Sequence, residues 1–326
     1  MILNLLDKKI LYELDQNARL THTQIAKKVH SNRNVVAYRI KRLEDLGIIR
    51  GYFTEINNTA LGLSGFRVFF KLANYDKNIE NALISEILKD NRVAWAFEVK
   101  GKWDLDIIYW CKDRFEFFDL IQNIKYKFNS LIASMEISQI VDIHHYPKDY
   151  LLNATRKYSG PKKLERTNYQ VNEIEHKIIE SISEDSRKDI LALSKELNLS
   201  INTLKKYLKN LVDKQIILGF RAFIDINNIG YYYFKVHLFL QNYNDSERKA
   251  LISYLQHDSN VVYLDFYIGG ADIEIEYHVK NIDELHKKFE KIRENYGKII
   301  GDYFIIKFEK EYVVRYMQGK STAIRI

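Results

Sequence analysis

Arg33, Asn34, Tyr38, Lys41 and Arg42 fall on one side of a helical period whose other side carries Val36, Ile40 and Leu43. Together with Arg39, these are side chains suited to reading duplex DNA. Arginine and asparagine pair bidentately with guanine and adenine in the major groove. Lysines and arginines beside them neutralise phosphates and release counterions. Asn32, just ahead of them, can accept from the first free backbone N–H groups and so start the helix. A solvated basic helix face has the same composition, so the face by itself leaves both readings open.

The other reactive residue types offer less. His144-His145 lies in an extended stretch, where neighbouring side chains point to opposite faces and cannot share one metal ion. Cys111 is the single cysteine, which excludes an internal disulfide, and no histidine motif accompanies it to make a nucleophile. We therefore expect no metal site, no cofactor and no enzymatic activity.

A reading helix needs a scaffold, and the chain supplies one twice. Asp7 falls on Glu175 at an offset of 168, and the offset then holds without a gap: Arg19 on Arg187, Asn34 on Asn202, Gly62 on Gly230, Asn74-Tyr75 on Asn242-Tyr243 and Tyr109 on Tyr277. Such a constant offset means two copies of one structural unit. Residues 6–15 carry Leu6, Ile10, Leu11 and Leu14 on one helix face. Thr21 and Gln24 have the spacing of a capping box for a second helix. Asn32 starts the third helix, and Gly47 stands where a left-handed residue ends it. Ile48–Ile56 reads as extended chain. Three short helices and a β-ribbon predict a winged helix-turn-helix in residues 1–57.

The pattern recurs in residues 169–225. There Ser200 caps the third helix, Leu204, Leu208 and Leu211 form its buried stripe, and Asn202, Lys205, Lys206 and Lys209 face outward as the second set of DNA-contact candidates. Residues 1–54 carry ten Lys/Arg against five Asp/Glu, and residues 169–222 carry nine against eight. Formal charge thus predicts the first winged helix as the stronger binder.

The rest of each unit alternates differently. Strand-like Phe66–Leu72, helical Asn78–Lys89, strand-like Arg92–Val99 and Asp104–Trp110, helical Phe115–Phe128 and strand-like Ser134–Ile143 give the order βαββαβ, a ferredoxin-like sandwich. The second copy repeats it from Tyr233 to Glu309. The predicted fold is α+β, a tandem duplication of a winged helix-turn-helix followed by a βαββαβ domain. Its expected units are 1–57, 60–147, a basic linker 148–168, 169–225 and 229–318. The linker holds Ser159-Gly160-Pro161 and six Lys/Arg against two acids, and reads as a tether with phosphate contacts as a second use.

At this point the residues carry a resemblance. A winged helix with Arg39-Ile40-x-x-Leu43 and Gly47-Ile48-Ile49-x-Gly51, followed by a βαββαβ domain with Gly101-x-x-Asp104 between its second and third strands, resembles the Lrp/AsnC transcription factors. It covers nearly the whole chain, twice, where the usual member has one unit. The resemblance implies a sequence-specific regulator that binds double-stranded DNA. It further implies sheet-to-sheet pairing of the α/β domains and an amino-acid-like effector near the turn. The corresponding residues here are Gly101, Trp103 and Asp104, and Gly269, Gly270 and Asp272. The sirohaem decarboxylases resemble the same layout and supply an enzymatic alternative, against which the basic face of residues 33–42 stands.

Composition agrees with an ordinary globular chain. Of its 326 residues 46% are hydrophobic, and the net charge is +7. No apolar run reaches the roughly 18 residues of a membrane span. The start turns acidic at Asp7 before a signal-peptide core can form. These features lead us to expect a cytoplasmic protein without a membrane partner. The alternation Phe66-x-Val68-x-Phe70 and Ile107-x-Tyr109 marks an apolar sheet face that needs a cover. We therefore expect residues 66–142 and 234–309 to pack sheet against sheet as an intramolecular pseudo-dimer, or to swap within a larger homo-oligomer.

Overall fold

Asn4 accepts a hydrogen bond from the Asp7 N–H at 2.9 Å and starts α1 (Leu5–Gln16), whose Ile10, Leu11 and Leu14 are fully buried. Thr21 and Gln24 close a capping box on α2 (His22–Lys28), and Asn32 caps α3 (Arg33–Asp45) through the Val35 N–H at 2.8 Å. The chain leaves α3 through Gly47 at φ +65°, a left-handed turn open to glycine at little cost. These elements belong to a computed structural model that describes residues 3–73, 76–154, 156, 164, 169–183 and 185–317. Ser159-Gly160-Pro161, the linker residues Lys157, Lys162, Lys163, Glu165 and Arg166, and the repeat pair Asn74-Tyr75 lie outside the described residues.

β1 (Ile49–Ile56) does not fold back on its own unit. It pairs antiparallel with β6 (Ile217–Ile224), its counterpart in the second copy, after α6 (Glu173–Ser183), α7 (Ile190–Glu196) and α8 (Ile201–Asp213). The wing expected inside each unit is thus one ribbon shared by two. Phe53 stands opposite Arg221, its own repeat equivalent, so a pseudo-twofold axis crosses the ribbon there. The cores interlock across it. Ala222 and Ile224 of β6 complete the first helical cluster, and Ile56 of β1 completes the second.

The same symmetry governs a latch. Arg19 Nη1 donates to the Ser186 carbonyl at 2.6 Å, and Arg187 Nη1 donates to the Ala18 carbonyl at 2.7 Å. Arg19 lies over the Phe220 ring and Arg187 over Tyr52, which are again equivalents. Replacing either arginine by alanine should cost about 1.5–3 kcal/mol, the range for a hydrogen bond to a charged group. Urea denaturation of the two single variants should give similar losses. A difference above about 1 kcal/mol, beyond ordinary site-to-site scatter, would show that the geometric symmetry is not energetic.

The α/β parts merge further. β2 (Ser64–Leu72), α4 (Lys77–Lys89), β3 (Val93–Lys100), β4 (Leu105–Cys111), α5 (Arg114–Lys127) and β5 (Ile132–His145) form the first βαββαβ set. The second set is β7 (Tyr232–Leu240), α9 (Asp245–His257), β8 (Val261–Ile268), β9 (Ile273–Val279), α10 (Ile282–Tyr296) and β10 (Ile300–Val314). Their eight strands close one barrel in the order β10-β3-β4-β2-β5-β8-β9-β7. Its seams are β5 on β8 and β10 on β3, with Gln139 opposite Ile268 and Lys307 opposite Lys100, so the barrel itself has no open edge.

Closure changes the role of the faces. Phe66, Val68, Phe70, Ile107 and Tyr109 pack with Leu83, Ile84, Leu120 and Ile121 of their own unit's helices. The apolar alternation therefore marks the helix-covered side. The barrel interior is lined by the other alternate positions, including Arg67, Phe69 and Asp106. The linker also departs from expectation at its start. Tyr150 and Leu151 enter the first helical core, Lys148 pairs with Asp15 at 2.6 Å, and Arg156 pairs with Asp149 at 2.7 Å. Lys148 and Arg156 are buried, so neither is free to meet a phosphate.

Candidate nucleic-acid interface and the barrel interior

Of the candidates on α3, Arg33, Asn34, Tyr38 and Lys41 are exposed, and Glu44 and Asp45 are exposed with them at its C-terminal end. Tyr38 is 67% exposed, high for a residue of its size. Arg33, Asn34 and Tyr38 make no side-chain hydrogen bond or ion pair among the described residues, and Lys41 pairs only with exposed Asp45 at 3.2 Å. Arg39 and Arg42 depart from the expectation of free cations. Both are drawn onto Asp7, which is buried on α1, at 3.2 and 3.7 Å. They fix the tilt of α3 on α1. Asn32 spends its carboxamide oxygen on the cap.

α8 is built differently. Ser200 caps it through the Thr203 N–H at 3.1 Å. Lys205, Lys206 and Lys209 are exposed along with Asn202, and no ion pair holds the three lysines among the described residues. Glu175, the equivalent of Asp7, has no arginine to hold; it accepts from Tyr169 and from Asn210 at 3.1 Å. The comparison by formal charge is thereby corrected. Among the described residues the second copy's helix carries three unpaired lysines, whereas Arg33 is the one unpaired cation among the candidates of the first.

The two glycine turns lie on the barrel seams. A Cβ at Gly101, where φ is +130°, would stand 2.6 Å from the Ile305 carbonyl oxygen. Asp104 accepts from the Leu72 N–H and Asp272 from the Leu240 N–H, each at 2.8 Å, so both carboxylates close the ends of strand pairs. Trp103 is buried with Phe69, Phe97 and Ile306, where it plugs its end of the interior. Its equivalent is the smaller Ala271, beside Gly269 and Gly270. His144 and His145 part as strand geometry requires: His144 Nε2 meets Asp142 at 2.8 Å and His145 Nδ1 meets Glu55 at 2.9 Å. Cys111 is buried, and burial pushes its thiol up to about 12, away from thiolate chemistry.

The interior holds a charged cluster that the sequence reading missed. Arg67 donates to Asp106 at 2.7 Å, to Glu274 at 3.2 Å and to the Tyr267 hydroxyl at 2.5 Å. Lys235 reaches Asp265, Glu274 and Glu276 at 2.9, 2.7 and 2.8 Å. All of these charged groups are buried. Burial raises the Glu276 carboxyl, Lys235 counteracts that and Asp265 adds to it, leaving the group at about 7. Burial and the neighbouring Arg67 charge depress the Lys235 ammonium, yet Glu274 and Glu276 hold it well above its ordinary value. A signal was present in the sequence. Arg67 and Lys235 are repeat equivalents, as are Asp106 and Glu274, and each is a charge set between apolar neighbours in its strand.

A second network ties the ribbon to the barrel. Glu55 accepts from Arg221 at 2.7 Å and faces His145, and Arg221 also donates to the Asp15 carbonyl at 3.0 Å. Burial opposes ionisation of Glu55, but Arg221 and His145 outweigh it and hold the carboxyl well below its usual range. Burial, then Arg221, push the His145 imidazole down to about 4 despite Glu55. The unfolded chain takes up that proton near pH 6.5 and the folded chain does not. Between those values the unfolded state binds more protons, so the contribution is complete above pH 6.5 and is lost as pH falls towards 4. Glu276 acts in the opposite direction over part of that window, so the useful quantity is a difference between variants. From pH 7 to 5 the parent should lose about 2 kcal/mol more than His145→Asn. Parallel pH profiles for the two would remove His145 from the account.

Between the ribbon and the barrel lies a cavity of about 120 Å³, lined by Phe53, Glu55, Trp95, Trp110, Asp265 and Glu276 among others. Among the described residues, no group of three or more His, Cys, Asp or Glu side chains is placed to hold a metal ion. Nor is any helix long and apolar enough to cross a membrane.

Comparison with known proteins adds four findings. A family model described as winged helix-turn-helix DNA-binding matches residues 3–50 and 171–217. An HTH-type transcriptional regulator of Pyrococcus furiosus is 34% identical over 103 residues, covering 32% of this chain and 68% of that protein. The regulator LrpA of Pyrococcus horikoshii is 33% identical over 118 residues, covering 36% and 82%. Among solved structures, the sirohaem decarboxylase NirDL matches 97% of this chain and 95% of its own, with a TM-score of 0.64 at 15% identity. At that identity the match shows a common fold, the tandem architecture in one chain.

Proposed function

From the premise that the chain belongs to the Lrp/AsnC family of helix-turn-helix transcriptional regulators, we propose that one polypeptide acts as a complete two-headed DNA-binding regulator. The observation that carries this is the shared ribbon. It sets two helix-turn-helix heads about one pseudo-twofold axis, as a quasi-palindromic site requires. The heads are unequal. α3 offers Arg33, Asn34 and Tyr38 for base edges, and α8 offers Lys205, Lys206 and Lys209 for phosphates, with Asn202 beside them. The role places the protein in whichever compartment holds the DNA.

In this reading the barrel replaces the pairing of two separate chains, since both seams are internal. A small-molecule effector belongs at the turns the family resemblance points to. Of the two, Gly269-Gly270-Ala271-Asp272 has the more room, because Trp103 fills the corresponding place at Gly101 and Asp104. The reading is tested by selecting bound fragments from a random duplex pool and sequencing them. Enrichment of a two-part motif, with log K falling linearly against log salt, is the expected result. No enrichment over the starting pool would overturn it.

The second reading is a tetrapyrrole decarboxylase, favoured by the full-length likeness of fold to NirDL. A structure of that enzyme holds an iron-uroporphyrin III analogue, a polycarboxylate. The cavity here sets Glu55, Asp265 and Glu276 against Arg67 and Arg315, and at about 120 Å³ it is smaller than one of about 150 Å³ that admits benzene, so it has no room for such a guest. We propose that the chain is not an enzyme. A saturable Soret shift with iron-uroporphyrin III, followed by loss of carbon dioxide, would reverse this.

A further inference from the structure

A second and larger cavity, of about 320 Å³, lies between the ribbon and the barrel and shares Phe53, Trp95, Tyr263 and Tyr316 with the first. Arg50 of β1, His278 of β9 and Glu311 of β10 line it. The repeat offset carries these three onto Leu218, Trp110 and Ile143, and those three line the smaller cavity. The two cavities are thus mates about the pseudo-twofold axis of the ribbon. At the smaller one the same positions are filled by two aliphatic side chains and a tryptophan. A buried ion pair adds little stability over apolar residues of similar volume. The architecture alone therefore does not call for a charged pair at the larger cavity.

Arg50 Nη2 donates to Glu311 at 3.3 Å, and its other N–H groups have no partner among the described residues. Neither side chain is sealed off: 17% of Arg50 and 11% of Glu311 stays accessible. The guanidinium lies over the Phe223 ring at 4.7 Å, and Phe223 meets Phe53 edge-on at 6.5 Å. Both rings line the cavity. A guanidinium with free N–H groups beside an aromatic wall suits a planar anion with an apolar body. Asp225, Glu309 and Glu311 line the same space and oppose a second negative charge on the guest. Burial raises the Glu311 carboxyl, Arg50 lowers it and Asp225 adds to the rise, leaving it at about 7. It can therefore take up a proton when a guest draws the guanidinium away.

We propose that the larger cavity binds an aromatic monocarboxylate. Arg50 takes the carboxylate through its free N–H groups, and the ring packs on Phe223 and Phe53. A cavity of about 150 Å³ admits benzene, so one of about 320 Å³ admits about a dozen non-hydrogen atoms, one ring or a fused pair with its acid arm and far short of a tetrapyrrole. This site is separate from the turns at Gly101 and Gly269, and it does not depend on which duplex the heads read. Because Arg50 belongs to the ribbon and Glu311 to the barrel, a guest here bears on the joint between them.

The test titrates the full chain by calorimetry at pH 7.5 with phenylacetate, 3-phenylpropanoate and 2-naphthoate, and with 3-phenylpropanamide as the uncharged control. Saturable binding of at least one acid, about tenfold or more tighter than the amide, is expected. Arg50→Leu with Glu311→Ile copies the residues of the smaller cavity and should weaken that acid about 10- to 100-fold. Arg50→Lys keeps the charge, loses the planar fork and should weaken it about fivefold. Melting curves establish that both variants fold. The proposal is overturned if no acid exceeds the amide. It is equally overturned if either folded variant binds the acid as the parent does, the result expected of a guest held at the glycine turns instead.

Discussion

A Lys235→Met chain should lose about 3–5 kcal/mol of stability at pH 7, enough to unfold many domains of this size. Lys235 is wholly buried and holds Asp265, Glu274 and Glu276 all within 2.9 Å, where Arg67 comes only within 3.4, 3.2 and 3.9 Å of the same three. Removing it leaves three interior carboxylates with Arg67 as their remaining cation. Uncompensated buried charge, rather than lost packing, is the cause, because methionine fills a similar volume. Two measurements separate these causes. Glu276→Gln added to Lys235→Met should recover part of the loss. Acidification from pH 8 to 6 should also narrow the gap to the parent, since protonation of Glu276, already poised at about 7, removes one negative charge. If urea denaturation finds Lys235→Met within about 1 kcal/mol of the parent, the size of an exposed pair, the interior is solvated and the cluster is not a structural centre.

The helices were legible because their signals are local. Thr21 with Gln24, Asn32 and Ser200 each cap the helix that their spacing announces. The βαββαβ order was legible from the change of period after Phe66. What local pattern does not encode is the partner of a strand. Ile48–Ile56 reads as a strand in either case, and nothing within it says that its mate begins at Ile217, in the other copy. The same blindness hid the barrel. Alternation at Phe66, Val68 and Phe70 identifies one apolar face, but whether helices or a second sheet cover it depends on long-range closure. Charge counting failed for a related reason. Arg39 and Arg42 count as cations, yet Asp7, more than thirty residues away, has already engaged them. Arg67 and Lys235 look like solvent-facing strand positions until the barrel closes over them.

The largest functional effects are expected on the two reading helices, and they should differ in kind. Arg33→Ala with Asn34→Ala removes exposed side chains that have no partner among the described residues and are open to base edges. Binding to the selected duplex should fall by about 1–3 kcal/mol for each base edge no longer read, roughly 5- to 150-fold, while binding to random duplex changes little. Lys205→Ala, Lys206→Ala and Lys209→Ala together remove three exposed cations that no ion pair holds among the described residues. Affinity should fall on selected and random duplexes alike, and the slope of log K against log salt should flatten by about 0.9 for each phosphate no longer neutralised. Arg42→Ala tests the pairing seen here. With its guanidinium turned to Asp7 on α1, its loss should disturb stability before it disturbs the salt slope. Melting curves recorded beside the binding titrations keep these apart. Equal damage to specificity from both sets would mean that both helices read bases. A salt slope unchanged in the triple lysine variant would mean that α8 stands away from the duplex and the first head binds alone.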